Sequence, residues 1–278
     1  MGAVAFLFAG QGAQVPGMAS DIKDVPKVKK LFDLAEGIAP GVVGKMLGGT
    51  QEELNRTLLT QPTMFLADLA YAYVKEQELG APSCVCGFSV GEVPALCFAG
   101  ALSEEDAFRA IVKRAELMEA YTQRVAGCML AVVKLPADQV EALCDNVNTH
   151  PANYNGALQT VVACRAEAEA DFTARVKEAG GRAMKLRVSG MFHCPELAPE
   201  AEAFESFLRT LGWRAPRLPV YANLTAQPYE GVFAHTLALQ MRSPVRFTAT
   251  VANMRAAGVD TFVEVGPGKV LTGLVERG

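Results

Sequence analysis

Short, mostly apolar runs alternate with helical patterns along this chain of 278 residues. Runs at positions 4–8, 83–86, 219–222 and 261–265 contain few polar residues on either face. A strand that is apolar on both faces is typical of a parallel sheet that helices cover on both sides. Because strands and helices alternate, the sequence predicts a doubly wound α/β domain with a parallel sheet.

The pattern changes between residues 127 and 189. We expect this segment to form a small inserted α+β subdomain, and residues 1–126 and 190–278 to form the large α/β domain. The strands predicted in the insert are 129–133, 157–164 and 182–188, with helices at 137–144 and 166–179. The helices predicted in the large domain are 61–79, 92–98, 104–121, 195–211, 234–241 and 247–257.

Composition excludes several classes of function. Lys and Arg number 26 against 30 Asp and Glu, so the net charge is −4 and no basic run offers a surface to nucleic acid. No apolar run approaches the ~18 residues that a membrane-spanning helix needs, so no membrane partner is expected. The apolar start of the chain lacks the basic segment and cleavage site of a secretion signal, and it is predicted to be the first strand.

The seven cysteines are predicted to be buried free thiols in a reducing compartment, since their number is odd and no two form a C-x-x-C pair. The three histidines, His150, His193 and His235, lack the spacing that a zinc site requires, so no metal site is expected. The expected location is the cytoplasm, or a mitochondrial or plastid lumen if a transit peptide has been removed.

The segment Gly87-Phe88-Ser89-Val90-Gly91 has the form G-x-S-x-G and lies between a predicted strand and a predicted helix. In that context such a serine is exposed as a nucleophile at a tight turn. Glycines at both ends let the backbone bend, and the N–H groups that begin the helix point at the anion formed when the serine attacks a carbonyl. The alternative is a Gly-Ser turn without chemistry, because five-residue matches are common by chance.

A nucleophilic serine needs a base, and three histidines compete for that role. His193 follows a predicted strand, at the carboxyl edge of the sheet where α/β folds bind their ligands. His150 and His235 lie in polar or helical contexts. Each histidine taken alone more often has a structural role, but the presence of Ser89 favours His193 as its partner.

Six segments of the chain occur in the order found in malonyl-CoA:acyl carrier protein transacylases, and the chain resembles that family over nearly its whole length. They are FAGQGAQ (8–14), GFSVGE (87–92), RAELM (114–118), NYN (153–155), SGMFH (189–193) and EVGPGK (264–269). Six ordered motifs are far more specific than one G-x-S-x-G.

The resemblance implies a ping-pong acyltransferase of fatty acid synthesis. Ser89 would take the malonyl group from its substrate malonyl-CoA as an ester and pass it to the phosphopantetheine thiol of an acyl carrier protein. By the same resemblance His193 is the general base and acid, and the backbone carbonyl of Gln240 orients its ring in place of a carboxylate. Gln11 would join the N–H of Val90 in the oxyanion hole. No bound cofactor is expected.

The resemblance also assigns the residues that bind the substrate. The pattern alone indicates that Arg114 is a solvated arginine on a helix. The resemblance makes it the residue that pairs with the malonyl carboxylate, both oxygens of which a guanidinium can bind. Phe192, otherwise a core phenylalanine, would fill the space that an α-methyl group needs. Met118 and Asn155 would complete the malonyl site.

The same resemblance implies acyl carrier protein as the partner, and we expect a hydrolase-like large domain, a ferredoxin-like insert and a monomer. Between Arg165 and Arg187 basic side chains outnumber acidic ones, which makes Arg182 and Lys185 candidates for docking the carrier; a solvated helix face is the alternative. Phe88 departs from the family, most members of which have histidine before the nucleophile. That departure puts in doubt any contact that the histidine ring makes with substrate in the family.

Three other functions stay open from the sequence. An acyltransferase that serves a polyketide synthase would share the catalytic residues and differ in its carrier. A serine esterase or thioesterase would use Ser89 and His193 without needing Arg114. A catalytically silent scaffold that only binds carrier protein would need none of them.

Overall fold

The computed structural model describes residues 2–277, and their backbone forms two β-sheets with helices around them. The strands are β1 (Ala3–Phe8), β2 (Cys84–Gly87), β3 (Gly127–Val133), β4 (Thr149–Gly156), β5 (Gln159–Arg165), β6 (Arg182–Lys185), β7 (Val220–Tyr221) and β8 (Val259–Val265). The α-helices are α1 (Pro26–Ile38), α2 (Val42–Gly48), α3 (Gln51–Leu54), α4 (Thr57–Leu79), α5 (Glu92–Phe98), α6 (Glu104–Arg124), α7 (Ala137–Leu143), α8 (Glu169–Glu178), α9 (Ala198–Leu208), α10 (Phe233–Gln240), α11 (Phe247–Ala256) and α12 (Val270–Arg277).

Strands β7, β2, β1 and β8 lie in that order in a parallel sheet, as predicted. Phe6 and Phe8 pack on one face with residues of α4 and α5, while Ala5 and Leu7 pack on the other with residues of α11 and α12. Helices therefore flank the sheet on both sides, which is why β1 and β2 are apolar on both faces, whereas the edge strand β8 contains Asp260, Thr261 and Glu264. Because the strands are parallel, the loops that follow β1, β2 and β8 meet at one edge of the sheet.

The second sheet is antiparallel and has the order β4-β5-β3-β6. Helix α7 connects β3 to β4, and α8 lies between β5 and β6, so the connectivity is the βαββαβ of a ferredoxin-like fold. These elements lie between Gly127 and Lys185. That residues 127–189 form a domain of their own stays a prediction.

Two parts of the antiparallel sheet differ from the sequence-based expectation. Strand β4 was not predicted, because Thr149–Gly156 is polar and contains Pro151. It lies at the edge of the antiparallel sheet, where proline is tolerated, and on its outer side Val245 forms an isolated bridge to Asn153. The prediction for β6 extended to Val188, but the strand ends at Lys185 and the next three residues line a cleft.

Helix α4 begins at Thr57 rather than at the predicted Gln61, so Pro62 lies inside the helix. Three threonines between 57 and 63 concealed this first turn, because threonine has a low helix propensity. Helices α1, α2 and α3 were not predicted either. Within residues 2–277, no helix combines the length and the apolar character that crossing a membrane requires.

Candidate active site

Ser89 lies on a sharp turn between β2 and α5, at the edge where the loops of the parallel sheet meet. Its φ of 53° is a backbone conformation that residues other than glycine rarely adopt. The two flanking glycines make room for it. A Cβ on Gly87 would lie 2.0 Å from the carbonyl oxygen of Gly91, and a Cβ on Gly91 would lie 2.4 Å from that of Phe8. The N–H of Ser89 donates to Asn223 Oδ1 at 2.7 Å, which fixes the turn.

His193 faces the nucleophile from the loop that follows β6. Its Nε2 lies 2.7 Å from Ser89 Oγ, and its Nδ1 lies 2.9 Å from the carbonyl oxygen of Gln240. A carbonyl oxygen can only accept, so Nδ1 carries the proton and Nε2 presents its lone pair to the serine hydroxyl. The structure thus brings together the serine and the histidine that the sequence paired.

Burial, together with the nearby positive charge of Arg114, lowers the pKa of His193 to about 4. The ring is therefore neutral near pH 7 and able to accept the serine proton. The same two causes destabilise the imidazolium that forms when it does. A negative charge close to the ring would offset that effect.

Two N–H groups beside Ser89 are available to an oxyanion. Val90 lies in the first turn of the 3₁₀ segment Ser89–Gly91, where N–H groups have no partner within the helix. Gln11 lies in the loop after β1, and among residues 2–277 its buried Nε2 has no hydrogen-bond partner. A buried donor without a partner is costly unless a ligand supplies one. Gln11 lines the same cleft as Ser89, and the oxyanion hole of Gln11 and Val90 stays a prediction.

Arg114 projects from α6 into the interior, and only 1% of its surface is exposed. Its Nη1 donates to Gln61 Oε1 at 2.7 Å, and its Nη2 donates to Gln240 Oε1 at 2.9 Å and to Ser89 Oγ at 3.4 Å. These partners are all neutral groups. Burial lowers the pKa of Arg114 to about 10, while the charge of Glu92 raises it, so the side chain is a cation near pH 7. The interpretation of Arg114 as a solvated arginine is wrong.

Gln61 holds the guanidinium of Arg114 in place. Its Oε1 accepts from the guanidinium, and its Nε2 donates to the sulfur of Met118 at 3.1 Å. Met118 lies one turn after Arg114 on α6 and lines the cleft. Met118, which is expected to bind substrate, therefore also fixes the side-chain amide of Gln61, and Gln61 orients the guanidinium of Arg114.

A cleft of about 560 Å³ opens onto Ser89 and is lined by the loops that follow β1 and β2, by residues of the antiparallel sheet and by α12. The predicted site residues that line it are Gln11, Ser89, Met118, Asn155, Phe192 and His193. Arg114, Val90 and Gln240 are almost fully buried and lie behind its surface. In the described part of the chain, the buried Asn155 Oδ1 has no partner, so it is an acceptor available to a ligand. A volume of this size suits a small acyl group and part of its carrier arm.

Three functional side chains were missed from the sequence: Gln61, Glu92 and Asn223. Asn223 braces the nucleophile turn, since its Oδ1 accepts from Ser89 and its Nδ2 donates to the Gly87 carbonyl oxygen at 2.6 Å. Glu92 has a signal, because it directly follows the G-x-S-x-G motif. Asn223 and Gln61 have none, because an amide that braces a distant loop produces no local pattern.

This arrangement can perform acyl transfer. It combines a half-buried serine hydroxyl that faces a cleft, a neutral base and two candidate donors for an oxyanion. The buried cation 3.4 Å from the nucleophile suits an acyl group that itself carries a negative charge. Across residues 2–277, no three His, Cys, Asp or Glu side chains lie together as the ligands of a metal ion would.

Residues 5–278 match the acyl transferase domain family. A malonyl CoA-acyl carrier protein transacylase of Bacillus subtilis (strain 168) is 34% identical over 287 aligned residues, which cover 100% of this chain and 90% of the relative. The similarity thus extends far beyond the nucleophile motif.

Solved structures agree with this match. A malonyl-transacylase in complex with a type II polyketide synthase acyl-carrier protein has a TM-score of 0.94 at 33% identity, covering 99% of this chain and 92% of that one. The acyltransferase domain from the second module of the salinomycin polyketide synthase has a TM-score of 0.92 at 34% identity, covering 100% of this chain and 66% of that one.

Proposed function

The chain belongs to the acyl transferase family, and on this premise we propose that it moves a malonyl group from malonyl-CoA to the phosphopantetheine thiol of an acyl carrier protein. The observation that carries the proposal is the buried cation beside the nucleophile. Arg114 Nη2 lies 3.4 Å from Ser89 Oγ, so it can meet a carboxylate only a short distance from the reacting carbonyl. In a malonyl group, one methylene separates the carboxylate from the thioester carbonyl.

In the first half-reaction, Ser89 Oγ attacks the thioester carbonyl while His193 Nε2 takes the hydroxyl proton. The carbonyl oxygen becomes an oxyanion, which accepts from the Val90 N–H and from Gln11 Nε2. One such donor is typically worth about 2.7–4 kcal/mol. As the C–S bond breaks, the imidazolium returns the proton to the sulfur, which leaves a malonyl ester on Ser89 and free CoA thiol.

The second half-reaction reverses these roles. His193 takes the proton of the carrier thiol, and the thiolate attacks the malonyl ester. When the C–O bond breaks, the imidazolium protonates Ser89 Oγ and the enzyme returns to its starting state. Because every proton taken is given back and no electrons leave the substrate, we propose that the reaction uses neither a metal nor a bound cofactor.

The hydrogen-bond partners of Arg114 are neutral, so none of them forms an ion pair with it in place of a substrate carboxylate. Gln61 and Gln240 orient the guanidinium but cannot neutralise it. A malonyl carboxylate that displaces the serine contact gains charge-assisted hydrogen bonds, which are roughly twice as strong as neutral ones. An acetyl group has no carboxylate and gains nothing there, so Arg114 is the basis of selectivity.

Phe192 is the residue that we expect to discriminate against a branched acyl group. It directly precedes the base, lines the cleft, and donates its N–H to the sulfur of Met129 at 3.2 Å. The value of kcat/KM for malonyl-CoA should exceed that for methylmalonyl-CoA by about 10–200-fold, the usual effect of one methyl group. Phe192→Ala should narrow the gap. A wild-type preference for the methylated thioester would show that Phe192 has another role.

The structure changes which basic residues are best placed to receive the carrier. Lys185 pairs with Glu169 at 2.7 Å, and neither Lys185 nor Arg182 lines the cleft. Arg187 and Arg277 do line it. We therefore propose that Arg187 and Arg277 attract the carrier and the phosphate of its phosphopantetheine arm.

Charge reversal tests this docking surface. Arg187→Glu is expected to raise KM for the carrier several-fold, because like charges oppose the approach of the arm. Arg182→Glu, on the same segment but outside the cleft, is the matched control and should have a smaller effect. Equal KM values for the two variants would contradict the assignment.

The similarity to the salinomycin domain favours one second candidate, malonyl transfer to the carrier of a polyketide synthase. The catalytic residues are the same in both cases, so the carrier decides. Comparing kcat/KM for a fatty acid synthase carrier and a polyketide synthase carrier separates the two pathways. The preferred carrier identifies the pathway.

A transfer assay tests the proposed function itself. The chain is mixed with malonyl-CoA and holo-acyl carrier protein, and malonyl-carrier and free malonate are both quantified. Transfer should exceed hydrolysis, and Ser89→Ala should abolish it. Malonate as the main product would identify a thioesterase, and the absence of any product would identify a scaffold that only binds.

We also propose that one copy of the chain is active in a reducing compartment, the cytoplasm or the lumen of a mitochondrion or plastid. Every side chain of the site comes from a single chain, and all seven cysteines are free thiols. Light scattering should therefore give the mass of a monomer at full activity. Activity that appears only in a dimer would contradict this.

A further inference from the structure

A buried carboxylate connects the parts of the site although it contacts neither the nucleophile's hydroxyl nor the base. Glu92 begins α5 and has no exposed surface. Its Oε2 accepts from Gln240 Nε2 at 3.0 Å and from the Asn223 N–H at 3.1 Å, and its Oε1 accepts from the hydroxyl of Tyr229. All three partners donate, so the surroundings are complementary to an ionised carboxylate.

Gln240 contacts Ser89, His193 and Arg114 from one residue. Its backbone carbonyl accepts from His193 Nδ1, and its side-chain Nε2 donates to the Ser89 carbonyl oxygen at 2.8 Å as well as to Glu92. Its Oε1 accepts from Arg114. An amide could flip and exchange its nitrogen with its oxygen. Glu92 on one side and Arg114 on the other allow only one orientation.

We propose that Glu92 is the positioning residue of this site and holds the negative charge that a carboxylate beside the histidine would otherwise supply. It fixes Gln240, whose carbonyl orients His193. Its charge also offsets the two cations that share the buried site during catalysis, Arg114 and the transient imidazolium. The inference rests on the proposed acyl transfer, because it concerns the base of that reaction.

The charge of Glu92 can be changed by pH in an accessible range. Burial raises its pKa to about 7, against the opposing effects of its three donors and of Arg114. The other titratable groups that face it are Tyr229 and Cys86, whose pKa values burial raises, so neither is charged near pH 7. Protonation of Glu92 should therefore produce an acidic limb in the pH profile of kcat/KM.

Glu92→Gln separates the charge from the geometry. A glutamine can turn its oxygen toward Gln240 and Asn223 and its NH₂ toward the Tyr229 hydroxyl, which can accept. In the protonated wild-type acid, the carbonyl oxygen of Glu92 can likewise face Gln240 and Asn223 while its O–H faces the Tyr229 hydroxyl. We therefore expect wild-type kcat/KM to fall on the order of tenfold as pH drops through about 7. Below that pH, kcat/KM of the wild type should equal that of Glu92→Gln, whose pH profile should be flat in this range.

Tyr229→Phe is a second variant, which should move the acidic limb of the kcat/KM profile instead of removing it. The tyrosine hydroxyl stabilises the charged form of Glu92, so its loss raises the pKa of Glu92. The limb should shift to higher pH while the alkaline plateau stays. The matched controls are Glu200→Gln, another buried carboxylate, paired with Arg124, and Tyr73→Phe, whose hydroxyl donates to Glu104 at 2.5 Å. Neither control should alter the profile.

The proposal is overturned if Glu92→Gln retains the limb near pH 7, equals the wild type at every pH, or is reproduced by Glu200→Gln. If Glu92→Gln does not fold, Tyr229→Phe decides, and a limb that stays in place contradicts the proposal. A wild-type chain that transfers no malonyl at all would instead refute the proposed function. The two failures are therefore distinguishable.

Discussion

Replacing His193 with alanine is expected to lower kcat for malonyl transfer by about 10⁴-fold or more. The hydroxyl of Ser89 lies 2.7 Å from His193 Nε2 and would then have no base. The Gln240 carbonyl cannot replace the ring, because an amide oxygen is far too weak a base near pH 7. Both half-reactions depend on the same proton transfer, so the burst of CoA release and the steady-state rate should fall together.

His150→Ala is the matched control for this loss. His150 is also buried, with its Nε2 3.2 Å from the Val147 carbonyl oxygen, but it lies on β4 away from the nucleophile. Its replacement should leave transfer within a few-fold of wild type. A His193→Ala protein that keeps its circular dichroism spectrum and retains a tenth of the wild-type kcat would show that another group is the base.

Arg114→Ala is expected to remove malonyl transfer while acetyl transfer is retained or increases. Removing one partner of a buried, hydrogen-bonded charge pair typically costs about 2–5 kcal/mol, so kcat/KM for malonyl-CoA should fall by about 30-fold to several thousand-fold. Arg114 lowers the pKa of His193. Without Arg114, the pKa of His193 rises. The limb that protonation of His193 produces in the pH profile of acetyl transfer should therefore move to higher pH.

Two further variants separate charge, shape and position at this residue. Arg114→Lys keeps the positive charge but loses the two-pronged donor geometry, so it should recover only part of malonyl transfer. Arg109→Ala removes an exposed arginine from the same helix and should leave the selectivity unchanged. An undiminished malonyl rate in Arg114→Ala would mean that the carboxylate binds elsewhere.

The turn that carries Ser89 could be predicted from the sequence because its conformation makes local demands. A serine with φ of 53° needs neighbours without a Cβ, so Gly87 and Gly91 leave a readable pattern around it. The parallel sheet could be predicted for a related reason, since its central strands β1 and β2 are covered on both faces and are apolar along their whole length. In both cases the physical constraint acts on consecutive residues.

The rest depends on contacts between distant segments. Asn223 reaches the nucleophile turn across 134 residues, and Gln61 reaches Arg114 across 53, with no periodic pattern in either segment. Arg114 falls on the apolar face of α6, three residues after Ile111 and four before Met118, and only its charge led to the interpretation that it is solvated. Strand β4 was hidden because its polar residues and Pro151 are acceptable only at a sheet edge, which is a tertiary property.

The central claim is that Ser89 holds malonyl as an ester between the two half-reactions. Intact-mass spectrometry of the chain mixed with malonyl-CoA and no carrier, quenched in acid and followed by peptide mapping, tests it most directly. We predict one malonyl group per chain on the peptide that contains Ser89, its loss when holo-acyl carrier protein is added, and no adduct on Ser89→Ala. Transfer without any adduct, or an adduct on another residue, would contradict the account.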